Sequence, residues 1–386
     1  MAENTGKTKM DTVERPPLKK HDIKLLDLAF AMDCTGSMGS YIDSARDNIR
    51  KIVEEIVASE KSNVHLALVE YRDHPPEDAT FVTRVHDFTA SPKTMKEWLS
   101  NSQATGGGDC PEAVADALHD VLKLTWREEA TKICVCISDA PPHGLNCSGD
   151  GFPNGCPAGI DPMEVTNRMA EKGITLYMVG CEPSITPYKD FFMAVAFITG
   201  GQYVPLTKAQ LLTQVIVGGA QEEMSLEQFM DEVNAEAQAD LAAGREIDEE
   251  EFTRRVHSKM MSKGIKTKQL HRNKAELSSV AESPGAKKLA DFKNLSDVRK
   301  NFKPDSAHSG SGLAMHAMAH APMAMRRSRG GPPMAMGGGP PMAMAMSAPP
   351  PPPGDAESYE TVEADISYAQ SSRMVQKCLK RNMIKK

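Results

Sequence analysis

Leu25-Leu26-Asp27-Leu28-Ala29-Phe30-Ala31-Met32 runs straight into Asp33-Cys34-Thr35-Gly36-Ser37-Met38. The first eight residues are apolar at all but one position, the pattern of a strand covered on both faces of a parallel sheet. The next six send a carboxylate and two hydroxyls out from the strand's end, and Gly36 permits a turn tight enough for alternate side chains to converge on one point. Oxygen donors of this kind suit a hard cation, Mg²⁺ or Mn²⁺, better than zinc. A helix opening at Met38 adds backbone N–H groups and a positive dipole end, favourable for an anion but not for a lone cation. The stretch therefore fits a metal joined by an incoming acidic group. Its plainer alternative is a strand-to-helix turn in which Thr35 or Ser37 caps the helix.

Working outward, short apolar runs recur at 64–71, 81–88, 132–137, 174–180 and 201–205. Between most of them lie segments with apolar residues at helical spacing, at about 38–59, 92–101, 111–125, 161–172 and 187–198, and again after Leu206. In the first of these Ile42, Ala45, Ile49, Ile52, Val53 and Ile56 form one face. The Pro75-Pro76-Glu77-Asp78 turn needs no crossover helix, which makes 81–88 an antiparallel edge. Strands alternating with crossover helices predict an α/β fold, a doubly wound, mostly parallel sheet with helices on both faces.

Two later segments deliver oxygen atoms to the same place. Thr105-Gly106-Gly107-Gly108-Asp109 is a glycine-rich turn before a helix, and Ser138-Asp139 ends the run 132–137. Both lie at the carboxyl edge of the expected sheet, where open α/β sheets bind ligands. Asp109 reads better as a helix cap before Cys110-Pro111 than as a ligand. At this point the chain resembles a von Willebrand factor type A domain with a metal-ion-dependent adhesion site. The family pattern is Asp-x-Ser/Thr-x-Ser, then a Thr, then an Asp, matched in order by Asp33, Thr35, Ser37, Thr105 and Asp139. The resemblance covers about residues 22–225. It implies that Thr35 and Ser37 bind the ion directly, that Thr105 joins or leaves with conformation, and that Asp33 and Asp139 act largely through water. The local wording around Asp33, Gly107-Gly108-Asp109-Cys110-Pro111-Glu112 and Ser138-Asp139-Ala140-Pro141-Pro142-His143 is most similar to domains that accompany alpha-type protein kinases.

The rest of the 386-residue chain divides by composition. Residues 1–21 are polar with no apolar leader, and no run is long enough to span a bilayer, so a cytoplasmic protein is expected. The net charge of −7 decides nothing about partners. Segment 226–303 is expected to be charged, helical or disordered: twelve acids stand against Arg245 alone over 218–251, and fourteen Lys or Arg against four acids over 252–303. Such blocks usually pair with each other or face solvent. The functional alternative is that Arg254, Arg255, Lys259, Lys263, Lys266, Lys268 and Arg272 bind calmodulin or an anionic membrane surface. Few aromatics are interleaved, which argues against specific nucleic-acid recognition. Residues 304–354 are a Met/Ala/Gly/Pro-rich linker, expected to be disordered, whose thioethers and proline run also suit a Pro-recognising partner. Residues 355–386 regain apolar positions and read as a short peptide that docks on the domain or on a partner.

The eight cysteines fit a reducing compartment. Cys147 and Cys156 bracket a loop with His143 upstream, and free thiols are favoured there over a loop-closing disulfide or a His/Cys/Cys zinc clip, which lacks a fourth ligand. No catalytic constellation emerges. Thr105-Gly106-Gly107-Gly108 lacks the Gly-Lys-Ser/Thr of a phosphate loop, and the residues after 225 do not supply a kinase domain. The expected function is non-catalytic: a divalent ion that coordinates an acidic residue of a partner protein. A regulatory or accessory role beside alpha-type kinases is the alternative.

Overall fold

A computed structural model describes residues 24–60, 62–277, 283–305 and 357–382. The expected strands and helices follow in order. They are β1 (Leu25–Asp33), α1 (Gly39–Glu60), β2 (Asn63–Tyr71), β3 (Thr83–Thr89), α2 (Pro92–Asn101), α3 (Val114–Lys123), β4 (Thr131–Ser138), α4 (Pro162–Glu171), β5 (Ile174–Cys181), α5 (Lys189–Ile198), β6 (Gln202–Leu206) and α6 (Leu212–Glu227). The six strands form one sheet in the order β3-β2-β1-β4-β5-β6. Only β3 runs antiparallel, at the edge beside β2. The fold is thus mostly parallel and covered on both faces.

The central strand shows why the sheet forms. Leu26, Leu28, Phe30 and Met32 point to one face, where they meet Ile42, Ile49, Ile52 and Ile56 of α1 and Leu212, Val215 and Ile216 of α6. Ala29 and Ala31 point to the other, small enough for α3, α4 and α5 to pack closely over them. Asp27, the one charge in the run, is buried but satisfied: Oδ2 accepts from the Arg127 backbone N–H at 2.7 Å and Oδ1 from Arg127 Nε at 2.7 Å. β1 pairs in parallel with β2 and β4, so Met32 lies beside Ile137 and the residues that follow leave the sheet together.

A second layer continues the chain with α7 (Met230–Ala242), α8 (Glu249–Ser262), β7 (Lys266–Arg272), β8 (Ala275–Glu276), α9 (Pro284–Ala290), α10 (Leu295–Asn301), β9 (Tyr359–Asp365) and α11 (Tyr368–Arg381). The segment expected to be helical or disordered is therefore built of helices and two strands over its described residues. β7 lies between β8 and β9 in an antiparallel sheet. The acidic and basic blocks do pair across α7 and α8: Arg255 Nε lies 2.9 Å and Lys259 Nζ 2.8 Å from Glu236. Other acids behave differently. Glu222, Glu223 and Glu227 are buried on α6 and meet Arg373, Lys377 and Arg381 of α11. Of the two fates expected for the C-terminal peptide, this one is docking on its own domain, with β9 in a sheet and Met374, Val375, Cys378 and Leu379 buried against α7 and α8. Residues 1–21 and most of the low-complexity stretch, from 306 to 354, lie outside the described residues.

Candidate metal centre

β1 delivers Asp33 fully buried at its carboxyl end. Asp33 Oδ1 accepts from the Thr35 backbone N–H at 2.9 Å and from Thr35 Oγ1 at 2.7 Å, and Oδ2 from Ser138 Oγ at 3.4 Å. The hydroxyl of Thr35 is therefore turned towards the carboxylate. Thr35 precedes a 3₁₀ turn over Gly36–Met38 without capping it through its side chain. Ser37 is exposed in that turn.

The glycine-rich loop lies directly against this motif. Thr105 N–H donates to Cys34 O at 3.2 Å and Gly36 N–H to Gly106 O at 3.3 Å, which brings exposed Thr105 to the same edge through its backbone. Asp139 follows the last residue of β4, half-buried. Its negative charge reaches Asp33: burial first, then Asp139, pushes the Asp33 carboxyl up to about 7 against the hydrogen bonds from Thr35 and Ser138.

A residue that sequence reasoning passed over stands inside this group. Glu112 is buried, and its Oε2 has no hydrogen-bond partner among the described residues. Gly107 explains how it gets there. With φ at +82° the residue occupies the left-handed region, and a Cβ built on it would meet Glu112 Oε1 at 2.8 Å and Thr35 Cβ at 3.4 Å. Burial and the charges of Asp33, Asp73, Asp139 and Asp109 hold the Glu112 carboxyl well above its usual range. The only sequence signal was its place three residues after Asp109. Asp109 itself does not cap α3, which opens at Val114 behind Ala113; its Oδ2 instead accepts from the Gly151 N–H at 2.6 Å. That corrects the cap reading, because the chain crosses from the glycine turn to the helix through Glu112, whose N–H donates to Pro141 O at 2.9 Å.

The cysteines also settle differently. Cys147 is joined to Cys110 in a disulfide and Cys156 is free. His143 lies between Asp73, 2.6 Å from its Nε2, and Asp150, 2.8 Å from its Nδ1. The His143/Cys147/Cys156 clip is therefore not assembled.

Residues 27–148 match the family model for a von Willebrand factor A domain. The chain carries a von Willebrand factor A domain. It is 28% identical over 155 residues to the alpha-protein kinase vwkA of Dictyostelium discoideum, an alignment covering 39% of this chain and 24% of that protein. It is 36% identical over 98 residues to the human von Willebrand factor A domain-containing protein 7, covering 25% of this chain and 10% of that one. A solved von Willebrand factor type A structure from Catenulispora acidiphila aligns over 52% of this chain and 43% of its own, with 14% identity and a TM-score of 0.38. The chain thus spans a quarter or less of the length of these two curated relatives. An A domain is a protein-interaction module that commonly holds a divalent ion, and the buried oxygens at this sheet edge fit one. A cation there would give Glu112 Oε2 a partner and oppose the repulsion between Asp33 and Asp139.

Proposed function

We propose that the A domain is a metal-dependent protein-binding module. Mg²⁺, or Mn²⁺, is held by Thr35 and Ser37 with Asp33, Thr105 and Asp139 around it, and an open coordination position accepts a Glu or Asp of a partner protein. Glu112 joins this set as a further carboxylate. The observation that carries the reading is the concentration of mutually repelling carboxylates, Asp33 and Glu112 buried and Asp139 half-buried, around the ends of β1 and β4, beside a loop whose glycines leave room for them. Among the basic residues considered for calmodulin or an anionic membrane, Arg255, Lys259 and Lys263 already pair with Glu232, Glu236 and Asp240, which favours the metal edge as the binding surface.

The test is affinity purification from a lysate with Mg²⁺ present, elution by chelator, and the same capture with Asp33→Ala. Isothermal titration with MgCl₂ and MnCl₂ is run in parallel. Retention of the same partners by the variant and in chelator would sink the reading, as would the lack of metal uptake.

A kinase-accessory role rests on one observation, the similarity to the alpha-protein kinase vwkA. It expects an alpha-type kinase among the captured partners, whereas phosphotransfer by the purified chain alone would make the protein an enzyme. A cytoplasmic location belongs to the same proposal. Five buried thiols support it, Cys34, Cys134, Cys136, Cys181 and Cys378, while the Cys110–Cys147 disulfide weighs on the other side. Cell fractionation decides it.

A further inference from the structure

We propose that His74, Asp116 and Cys156 form a second site, for a Zn²⁺-class transition-metal ion, beside the magnesium edge. Three elements far apart in sequence meet here. His74 follows β2, Asp116 lies in the first turn of α3, and Cys156 sits in the loop between β4 and α4. Cys156 Sγ is 3.7 Å from His74 Nε2 and 3.6 Å from Asp116 Oδ1, and His74 Nε2 is 2.9 Å from Asp116 Oδ2. Ordinary zinc bond lengths in a tetrahedron set sulfur–nitrogen and sulfur–oxygen separations of about 3.6 Å and a nitrogen–oxygen separation of about 3.4 Å. The sulfur–nitrogen distance already matches. Asp116 meets the sulfur through Oδ1, also at the matching distance, and the imidazole through Oδ2, so with Oδ2 as the ligand atom the nitrogen–oxygen pair opens by about half an ångström as the metal takes the place of the proton between them.

The direction of approach distinguishes a metal site from a nucleophile relay. In a Cys–His–Asp relay the thiol and the carboxylate address different ring nitrogens, so that one orients the imidazole while the other gives up its proton. Here both converge on Nε2, as ligands around one ion do. The surroundings suit a thiolate: the Ala158 N–H points at Cys156 Sγ from 3.3 Å, and the edge of the Phe152 ring lies against His74 with centroids 5.7 Å apart. His74 and Asp116 are buried and Cys156 half-buried, which leaves a way in for the ion. On binding, the Cys156 thiol gives its proton to solvent and the proton between His74 Nε2 and Asp116 is also displaced, to solvent or by tautomerisation to Nδ1, which leaves His74 a neutral imidazole; thiolate and carboxylate together then cancel the ion's two positive charges. Water fills the fourth position. The ion would tie the long loop after β4 to α3 and to the end of β2, bracing the loops that flank Asp33 and Glu112. The chemistry differs from that edge, where only oxygen donors gather.

The probe is Co²⁺, then Zn²⁺, added to the full chain after chelation and anaerobic dialysis without added thiol, so that the Cys110–Cys147 disulfide stays closed. Co²⁺ should raise a thiolate-to-metal absorption band in the near ultraviolet. Cys156→Ser should abolish the band, and His74→Gln and Asp116→Asn should weaken metal affinity by at least ~10-fold. Asp33→Ala should leave the band intact, which separates this site from the proposed magnesium site. A second measurement needs no variant. The other free cysteines among the described residues are buried, so a thiol reagent should label Cys156 first, and Zn²⁺ should slow that labelling at least ~10-fold. No cobalt band in the unaltered chain, a band undiminished in Cys156→Ser, or labelling indifferent to Zn²⁺ would each overturn the proposal.

Discussion

At the amino ends of β5 and β6, near Thr175 and Gln202, the chain buries Glu222, Glu223 and Glu227 beside its own Arg373, Lys377 and Arg381. At the carboxyl ends of β1 and β4 it buries Asp33 and Glu112 among further carboxylates. Both clusters are shielded from water, so in both the ionised form needs a nearby positive charge or a proton. The first takes its positive charge from α11. The second faces the loops at the edge where an α/β sheet binds ligands, and under the function proposed above its positive charge is a cation from solution. One end of the sheet thus uses charge to fasten a distant segment of chain, while the other is left with oxygens to spare.

The largest effect should come from breaking the self-sufficient end. Arg373 lies within 3.2 Å of both Glu222 and Glu223, and its Nε donates to Gly200 O at 2.9 Å. Arg373→Ala would leave buried acids uncompensated and should cost ~3–5 kcal/mol in urea denaturation, with or without Mg²⁺. A loss under 1 kcal/mol would show that α11 is held by apolar packing and that the charges are incidental.

The other end should answer to metal instead. Mg²⁺ at about 100 times its dissociation constant should add ~2.7 kcal/mol to the unaltered chain and nothing to Asp33→Ala. The same Mg²⁺ shift in both proteins would place the stabilising ion elsewhere.

In chelator, pH should separate the two ends. The Asp33 carboxyl titrates near 7 in the folded chain, above its unfolded value. The folded state therefore holds a proton that the unfolded state has released. The associated stability is full below about pH 4 and is lost as pH rises through about 7, on the order of 4 kcal/mol from this group. Thermal melts of the chelated protein from pH 5 to 8 should fall with rising pH, and the slope should flatten in Asp33→Asn. A slope unchanged in that variant would assign the titration to other acids.

The same contrast explains what could be read from the sequence. A parallel sheet covered on both faces is written as continuous apolar runs, so β1, β4 and β5 announce themselves, and the turns after them place Asp33, Thr35 and Asp139 at one edge. Glu112 was hidden because its approach depends on the left-handed Gly107 and on the crossing to Pro141, both tertiary features. His74 and Asp116 carried no spacing signal towards Cys156. The α6–α11 contact is hidden for a different reason: runs of charge normally mean solvent. Yet Arg373, Lys377 and Arg381 recur every four residues, as do Glu223 and Glu227, and two helical rows of opposite sign at one period are what a buried ion ladder requires. Pairing of β7 with β9 joins residues about a hundred positions apart, beyond any local pattern.

The smallest effect should come from charges that pair without being buried. Lys263 and Glu232 lie 2.5 Å apart across α7 and α8, with side chains 48% and 27% exposed, whereas Arg373 and Glu223 are 4% and 0% exposed. Water solvates either exposed partner when the other is removed, so Lys263→Ala should cost no more than ~0.5 kcal/mol and should shrink further in 0.5 M salt. Lys259 also reaches Glu232 at 3.2 Å and keeps that acid company after the substitution. A salt-insensitive loss approaching that of Arg373→Ala would mean that the α7–α8 pairs, like those of α11, are part of what holds the second layer on the sheet.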